Sequence, residues 1–263
     1  MSLDARLAPA EEVLPLRDLH RREMNCQIVL DSWLGRGWAD SYLLFRNDRV
    51  VGYGLVGGVR NAPKDVIIEF HVSPDFRADA LPLFRRLATV SHARSIEAQT
   101  NDLPLSLCLW DCAREIESDT ILFHDAVTTH LVLPEARVRK VRESDREAIR
   151  LRDLDPDAGW LVERDGQPLA TGGVLFHYNV PYGDVHMAVA EPFRRQGIGS
   201  FLVQELKRNC YELGRIPAAR CKVANVGSRA TLQKAGMLPC ARVLTGRLDP
   251  VPSDLHVGVD SND

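Results

Sequence analysis

The sequence predicts an α/β fold, organised as two tandem domains that are each a mixed twisted sheet flanked by helices. Three observations carry this. The 263 residues suffice for one large domain or two of ordinary size. Residues Val185–Ser200 read as a short apolar strand, a basic turn spaced by glycines, and the start of a helix. A faint internal repeat then aligns the first half with the second. Arg46-Asn-Asp-Arg-Val-Val-Gly-Tyr-Gly54 matches Arg164-Asp-Gly-Gln-Pro-Leu-Ala-Thr-Gly172 at an offset of 118 residues, and Val72-Ser-Pro-Asp-Phe76-Arg77 matches Val189-Ala-Glu-Pro-Phe193-Arg194 at 117.

The elements follow in order. Each stretch of the first match is a strand, a polar turn and a strand, which predicts a hairpin in each half. After Val72 the chain starts a helix near Asp79, a plausible N-cap, with Leu81, Phe84, Leu87 and Ala88 on one face. The seam falls at Leu133-Pro134-Glu135-Ala136, giving domains 1–134 and 135–263. Beyond it Val138–Val141 reads as a new first strand and Ser144-Asp145-Arg146-Glu147 as a capped helix start. The helix Ser200–Leu213 buries Phe201, Leu202 and Leu206 and stops at Gly214. A strand, Ala218–Val223, comes next, then a helix ending at Gly236. The tail beyond Leu248 is rich in Pro and Asp, with a possible last strand around His256–Val259.

Composition excludes several classes. Apolar residues at 45% and charged residues at 26% are those of an ordinary soluble globular protein. A net charge of −3 leaves no footprint for nucleic acid or a membrane surface. No apolar stretch approaches a membrane span and no signal-peptide pattern opens the chain, so a cytoplasmic protein is expected. The six cysteines show no framework spacing. Buried free thiols are expected, with neither disulfide nor metal.

The chemistry concentrates in the turn Arg194-Arg195-Gln196-Gly197-Ile198-Gly199 and Ser200. Backbone N–H groups there can close around an anion, aided by the unsatisfied N–H groups and positive end of the following helix. A dinucleotide fingerprint would need a third small residue and an acid about twenty positions on. Phe201-Leu202 and the basic Arg220 and Lys222 stand there instead, and no triphosphate-binding loop is present. In the first half Ala80 and Pro82 occupy the positions of Gly197 and Gly199, and Asp79 adds a negative charge. There the cradle is gone.

The Arg-x-x-Gly-x-Gly turn, followed at the proper distance by Asn225-Val-Gly-Ser228-Arg-Ala-Thr-Leu232-Gln-Lys234-Ala-Gly236-Met237, resembles the two signatures of the GCN5-related N-acetyltransferase (GNAT) superfamily. The resemblance implies that the second domain binds acetyl-CoA and that the first is a degenerate copy. It implies that Arg194 to Ser200 hold the pyrophosphate, that Met187, Ala188 and Val189 pair with the pantetheine arm, and that Asn225 and Ser228 line it. It also implies a backbone N–H near Val189 that polarises the thioester carbonyl. Two residues depart from the pattern. Leu232 stands where many members have a tyrosine that protonates the leaving thiolate, and Met237 replaces a phenylalanine.

The acceptor so implied is the primary amine of a small molecule. A lysine-like amine must first lose a proton at roughly 4.6 kcal/mol at pH 7, whereas thiolate departure is penalised by only about 2 kcal/mol. His186 and Asp184, on the face opposite Val185, Met187 and Val189, are the candidate base pair. Structural roles remain open for both, as does a capping role for Ser228. Tyr178, Asn179 and Tyr182 are placed to shape the acceptor pocket. Two other functions stay open: a non-catalytic acyl-CoA-binding or regulatory module, and a protein or peptide acetyltransferase. The acceptor's identity and the oligomeric state are not legible in the sequence.

Overall fold

The structure is a computed structural model that describes residues 2–249 apart from 59 and 61. The strand expected around His256–Val259 lies outside the described residues. The chain opens with β1 (Leu3–Ala8), α1 (Ala10–Glu23) and the short α2 (Asp31–Gly35). Three strands follow: β2 (Ala39–Arg46), β3 (Arg49–Gly57) and β4 (Val66–Val72). A 3-10 turn over Pro74–Asp79 leads into α3 (Ala80–Ser91), β5 (Ser95–Gln99), α4 (Leu103–Cys112) and the long β6 (Ala113–Asp125). The second half repeats this order. After β7 (Arg137–Lys140) and the one-turn α5 (Arg146–Arg150) come β8 (Trp160–Arg164), β9 (Gln167–Leu175) and β10 (Tyr182–Val189). A 3-10 turn over Glu191–Phe193 then leads into α6 (Ile198–Glu212), β11 (Ile216–Lys222), α7 (Val226–Lys234) and β12 (Met237–Leu248).

The chain folds as two compact units. The first takes the residues up to Met24, Leu30–Glu117, and the chain from Leu244; the second takes Asn25–Val29 and Ser118–Val243. The seam read at Leu133–Ala136 thus lies within the second unit, in the irregular stretch between β6 and β7. The Pro and the polar residues there do break regular structure. What they do not mark is where compact packing changes hands, because that depends on strand partners far away in sequence.

In the first unit the strand order is β1-β2-β3-β4-β5, antiparallel except for the β4–β5 pair. The predicted hairpin is β2–β3, turned at Asn47 with φ +53°. Helix α3 buries Leu83, Phe84, Leu87 and Ala88, while Leu81 is only half-buried, one step off the stripe. Asp79 precedes α3 without capping it and pairs with Arg46 at 3.1 Å. A buried polar network joins α1 to the strands. Arg17 grips both oxygens of Glu69, at 2.7 and 2.5 Å, and the Tyr53 hydroxyl donates to Glu69 at 2.9 Å. His20 lies between Tyr53 at 2.8 Å and Asp102 at 3.1 Å.

In the second unit β6-β11-β10-β9-β8-β7 are neighbours, and only β10–β11 is parallel. The second hairpin turns at Asp165 and Gly166, both with positive φ. Phe123, Val185, Leu202, Val203, Leu206, Leu232 and Met237 form the core under α6 and α7. Leu161, alternating with Trp160 and Val162, packs with Ile149 of α5 on the other face. Helix α6 starts two residues earlier than expected and ends at Gly214, φ +72°; Phe201 is half-buried on it. Near Ser144 the cap is Asp145, whose carboxylate accepts from the Arg142 N–H at 2.7 Å. All six cysteines are free; contrary to expectation Cys112, at the edge of the first core, is half-buried and Cys240 is exposed.

Candidate functional site

The turn between β10 and α6 is built by two left-handed residues, Arg195 at φ +62° and Gly197 at φ +83°. This winding points successive N–H groups to one side, as anion-binding nests do. The first N–H of α6 to find a partner in its own turn is that of Phe201, on the Gly197 carbonyl at 3.0 Å. The N–H groups of Ile198, Gly199 and Ser200 come before it, at the helix end where intrahelical acceptors run out. A methyl group added at Gly197 would meet only the Lys234 ammonium, 3.6 Å away. Lys234 therefore stands at the turn with Arg195. The sequence pattern contained Lys234, but nothing local told it from a solvated helix-end lysine.

The other predicted cradle residues divide by what they touch. Gly199 serves packing more than access. A Cβ there would lie 3.0 Å from Thr231 Cγ2 and 3.3 Å from both Met187 Cε and Val189 Cγ2, so its absence lets α6 seat on α7 and β10. Arg194 turns back to donate to the Val189 carbonyl at 3.2 Å, and Gln196 to that of Pro192 at 3.3 Å. The Ser200 hydroxyl donates to the Thr231 carbonyl at 3.1 Å. Its side chain is a tie between helices, leaving its backbone N–H for an anion.

Beside the turn the sheet opens. Strands β10 and β11 pair only over Tyr182–Asp184 and Ile216–Ala218, while β9 follows β10 as far as Val189. From Val185 to Val189, through Met187 and Ala188, one edge of β10 has no strand beside it among the described residues. A strand edge with free N–H and C=O groups accepts an extended ligand as it would another strand. Asn225 caps α7, accepting the Ser228 N–H at 3.0 Å, so the capping role falls to Asn225 and not to Ser228. Leu232 is 4% exposed and belongs to the core under α6. No acid stands in its place.

The opposite face of β10 carries the acidic and imidazole groups. Asp184 is buried at 6% exposure, and burial pushes its carboxyl up to about 6 against the opposing pull of Arg220, His186 and the Tyr178 hydroxyl. Its direct partner is His177, Nε2 to Oδ2 3.1 Å. Burial, then the Arg220 charge, hold the His177 imidazole below the usual histidine range. His186 lies beside Gly173, where an added methyl would come 3.1 Å from its Nε2. Its imidazole is half-buried. The sequence reading missed His177. It lies in the loop before β10, and only the fold of that loop brings it to Asp184.

Residues Asn25–Val29 complete this face. Ile28 bridges Tyr178, the Asn179 N–H donates to the Gln27 carbonyl at 2.8 Å, and Tyr182 hydrogen-bonds Asn25. Tyr178, Asn179 and Tyr182, the three loop residues expected to shape an acceptor pocket, are all buried in this contact. The corresponding turn of the first unit is different in kind. No residue from 73 to 82 has positive φ, α3 starts directly at Ala80, and Arg77 is paired with Glu23.

Residues 126–237 match the Acetyltransferase (GNAT) family. No curated protein matches the sequence. Among solved structures, an acetyltransferase of the GNAT family from Colwellia psychrerythraea is similar at TM-score 0.75 and 15% identity, over 95% of this chain and 100% of that one. A tandem GNAT protein from the clavulanic acid biosynthesis pathway is similar at 0.60 and 13%, over 95% and 100%. A GCN5-related N-acetyltransferase from Sphaerobacter thermophilus follows at 0.56 and 16%, over 94% and 96%. These identities speak for the fold: two tandem GNAT-like domains of mixed sheet and flanking helices. Residues 126–237 carry a GNAT acetyltransferase domain.

Proposed function

We propose that the second unit binds acetyl-CoA and transfers its acetyl group to the primary amine of a small molecule. One observation carries the reading: the edge of β10 that β11 leaves free runs straight into the nest at Arg195–Ser200. A pyrophosphate in the nest is met by N–H groups from Gly197 to Ser200, by Arg195 and by Lys234. The pantetheine arm lies along Met187–Val189, and the backbone near Val189 polarises the thioester carbonyl. The first unit, with its straight helix entry, is the degenerate copy and binds no cofactor. We retain 1–134 and 135–263 as the two halves of the duplicated sequence.

The amine nitrogen attacks the thioester carbon, the C–S bond breaks, and the amine's proton must be taken up nearby. His186, on the strand that carries the thioester, is the base of this proposal, and the Asp184 carboxylate stabilises its cationic form. A second reading gives the base to His177, favoured by its 3.1 Å contact to Asp184. The thiolate departs for about 2 kcal/mol at pH 7, a penalty that water or the Ser228 hydroxyl can meet. Protein localisation in the cytoplasm accords with a freely diffusing co-substrate.

Calorimetric titration with CoA and thiol release across a panel of amines test the reading together. One CoA per chain and amine-dependent thiol release are expected. Two equivalent sites would overturn the degenerate first half, and tight binding with no release for any amine would leave a binding or regulatory module. Gly197→Asp puts a Cβ and a carboxylate into the nest, and CoA affinity should fall at least tenfold, about 1.4 kcal/mol. The pH–rate profiles of His186→Ala and His177→Ala then separate the two bases, since only the true base removes the rise of activity with pH.

A further inference from the structure

We infer that the acceptor is an amine bearing a carboxylate, an amino-acid-type zwitterion, and that Arg220 of β11 is the residue that holds the carboxylate. The inference rests on the acetyl-transfer reading above and adds its substrate class. Asp184 and Ala218 are the last residues paired between β10 and β11. His186 and Arg220 each lie two residues further along, on the same face of the sheet as that last pair, since strand side chains alternate. Arg220 therefore stands across the opening from His186, on the face where His177 and Asp184 meet.

Its guanidinium is uncommitted. Arg220 is exposed, and among the described residues no carboxylate lies within ion-pair distance of it. It lies over the ring of Tyr178, with the guanidinium carbon 5.9 Å from the ring centre, and its charge is felt by Asp184 and His177 without an ion pair. Two cations nearby in sequence are engaged: Arg215 with the Tyr182 carbonyl at 3.3 Å, Lys222 with Asp119. Asp184 spends its direct contact on His177. A cationic and an acidic side chain thus share one face without forming an ion pair with each other.

That arrangement selects among ligands. In a zwitterion the ammonium and carboxylate are neighbours of opposite sign, and they match Asp184 and Arg220 in the same order. A planar guanidinium meets a carboxylate with two parallel N–H donors. A dianionic phosphate would set two charges against one guanidinium with the Asp184 carboxylate close behind. A plain diamine would turn a second cation toward Arg220. The monoanionic carboxylate avoids both repulsions.

The experiment uses the full chain and pairs of acceptors that differ only in the carboxylate: alanine and ethylamine, phenylalanine and phenethylamine, lysine and cadaverine. Thiol release from acetyl-CoA gives kcat and KM, and calorimetry in the presence of CoA gives acceptor binding. In at least one pair the amino acid should be preferred by about 10- to 100-fold, the range of a charged hydrogen bond. Arg220→Ala should raise KM for the amino acid by the same factor while kcat and the KM for acetyl-CoA hold, and should leave the decarboxylated amine unchanged. Arg220→Lys should recover part of the loss and Arg220→Gln little. Equal use of both members of every pair, an equal effect of Arg220→Ala on both, or no binding by any amino acid overturns the inference. Arg220-dependent binding of an amino acid without thiol release upholds the carboxylate site and sinks acetyl transfer instead.

Discussion

Asp184 is the residue whose environment and chemistry pull in opposite directions. Burial raises its folded pKa to about 6 from an ordinary 3.8, so the folded chain holds this proton more tightly than the unfolded one. A raised acid pKa means a cost to folding that is absent below about pH 4, grows between 4 and 6, and is complete above 6. Its size is on the order of 3 kcal/mol. Asp184→Asn should therefore stabilise the protein at pH 8 and confer no gain at pH 4, as urea denaturation at the two values would show. Activity should move the other way, with kcat/KM of the wild type falling as pH drops below 6. Leu232 makes the contrasting case. A tyrosine there must enter a filled core, and Leu232→Tyr should lower stability by about 1–3 kcal/mol in the same assay. Recovery of a thiol-protonating group is worth at most about 2 kcal/mol of barrier, and water already meets much of it, so turnover should change by less than tenfold.

At the scale of elements, the site depends on how α6 and α7 are pinned to β10. Gly199 permits the approach, the Ser200 hydroxyl ties α6 to Thr231, and Asn225 starts α7. Asn225→Ala should remove about 1 kcal/mol of cap energy. Lys234, in the last turn of α7, reaches the nest only because that helix is held at this angle. Lys234→Ala should weaken CoA binding several-fold at low salt and progressively less as ionic strength rises, because an exposed ammonium acts through a screened field. A salt-independent effect in calorimetry would show that Lys234 does not face the pyrophosphate.

Across the whole molecule the two units spend their polar residues differently. In the first unit Arg17, Glu69, Tyr53, His20 and Asp102 form a closed, buried network. Burial alone would raise Glu69, but the paired bonds and charge of Arg17 outweigh it and hold the carboxyl below its ordinary range. A lowered acid pKa contributes stability that is present above the unfolded value near 4.5 and lost as pH falls through the folded one. Glu69→Gln leaves Arg17 buried with half a partner, at a cost of about 3–5 kcal/mol at pH 7. That cost should persist down to about pH 4.5 and shrink only below it, the reverse of Asp184→Asn. The same denaturation series, run on both variants, reads the two signs.

By itself the sequence determined the repeated order of elements, both hairpins and the glycine-spaced turn Arg194–Ser200 ahead of α6. Each of these is local: turn residues, or apolar spacing along one strand or helix. Only the tertiary structure decided the rest. Compact packing changes hands within β6 and β12 and not at Leu133–Ala136, because a strand belongs to whatever pairs with it. Leu83, not Leu81, went into the core under α3, and Ser200 became a tie between helices. His177 came to Asp184 from a loop, Arg220 to the same sheet face from a neighbouring strand, and Lys234 to the Gly197 turn from a distant helix end. No spacing rule links them to Asp184 or Gly197, since their relation is a distance in space that the chain sets only after the sheet has opened between β10 and β11.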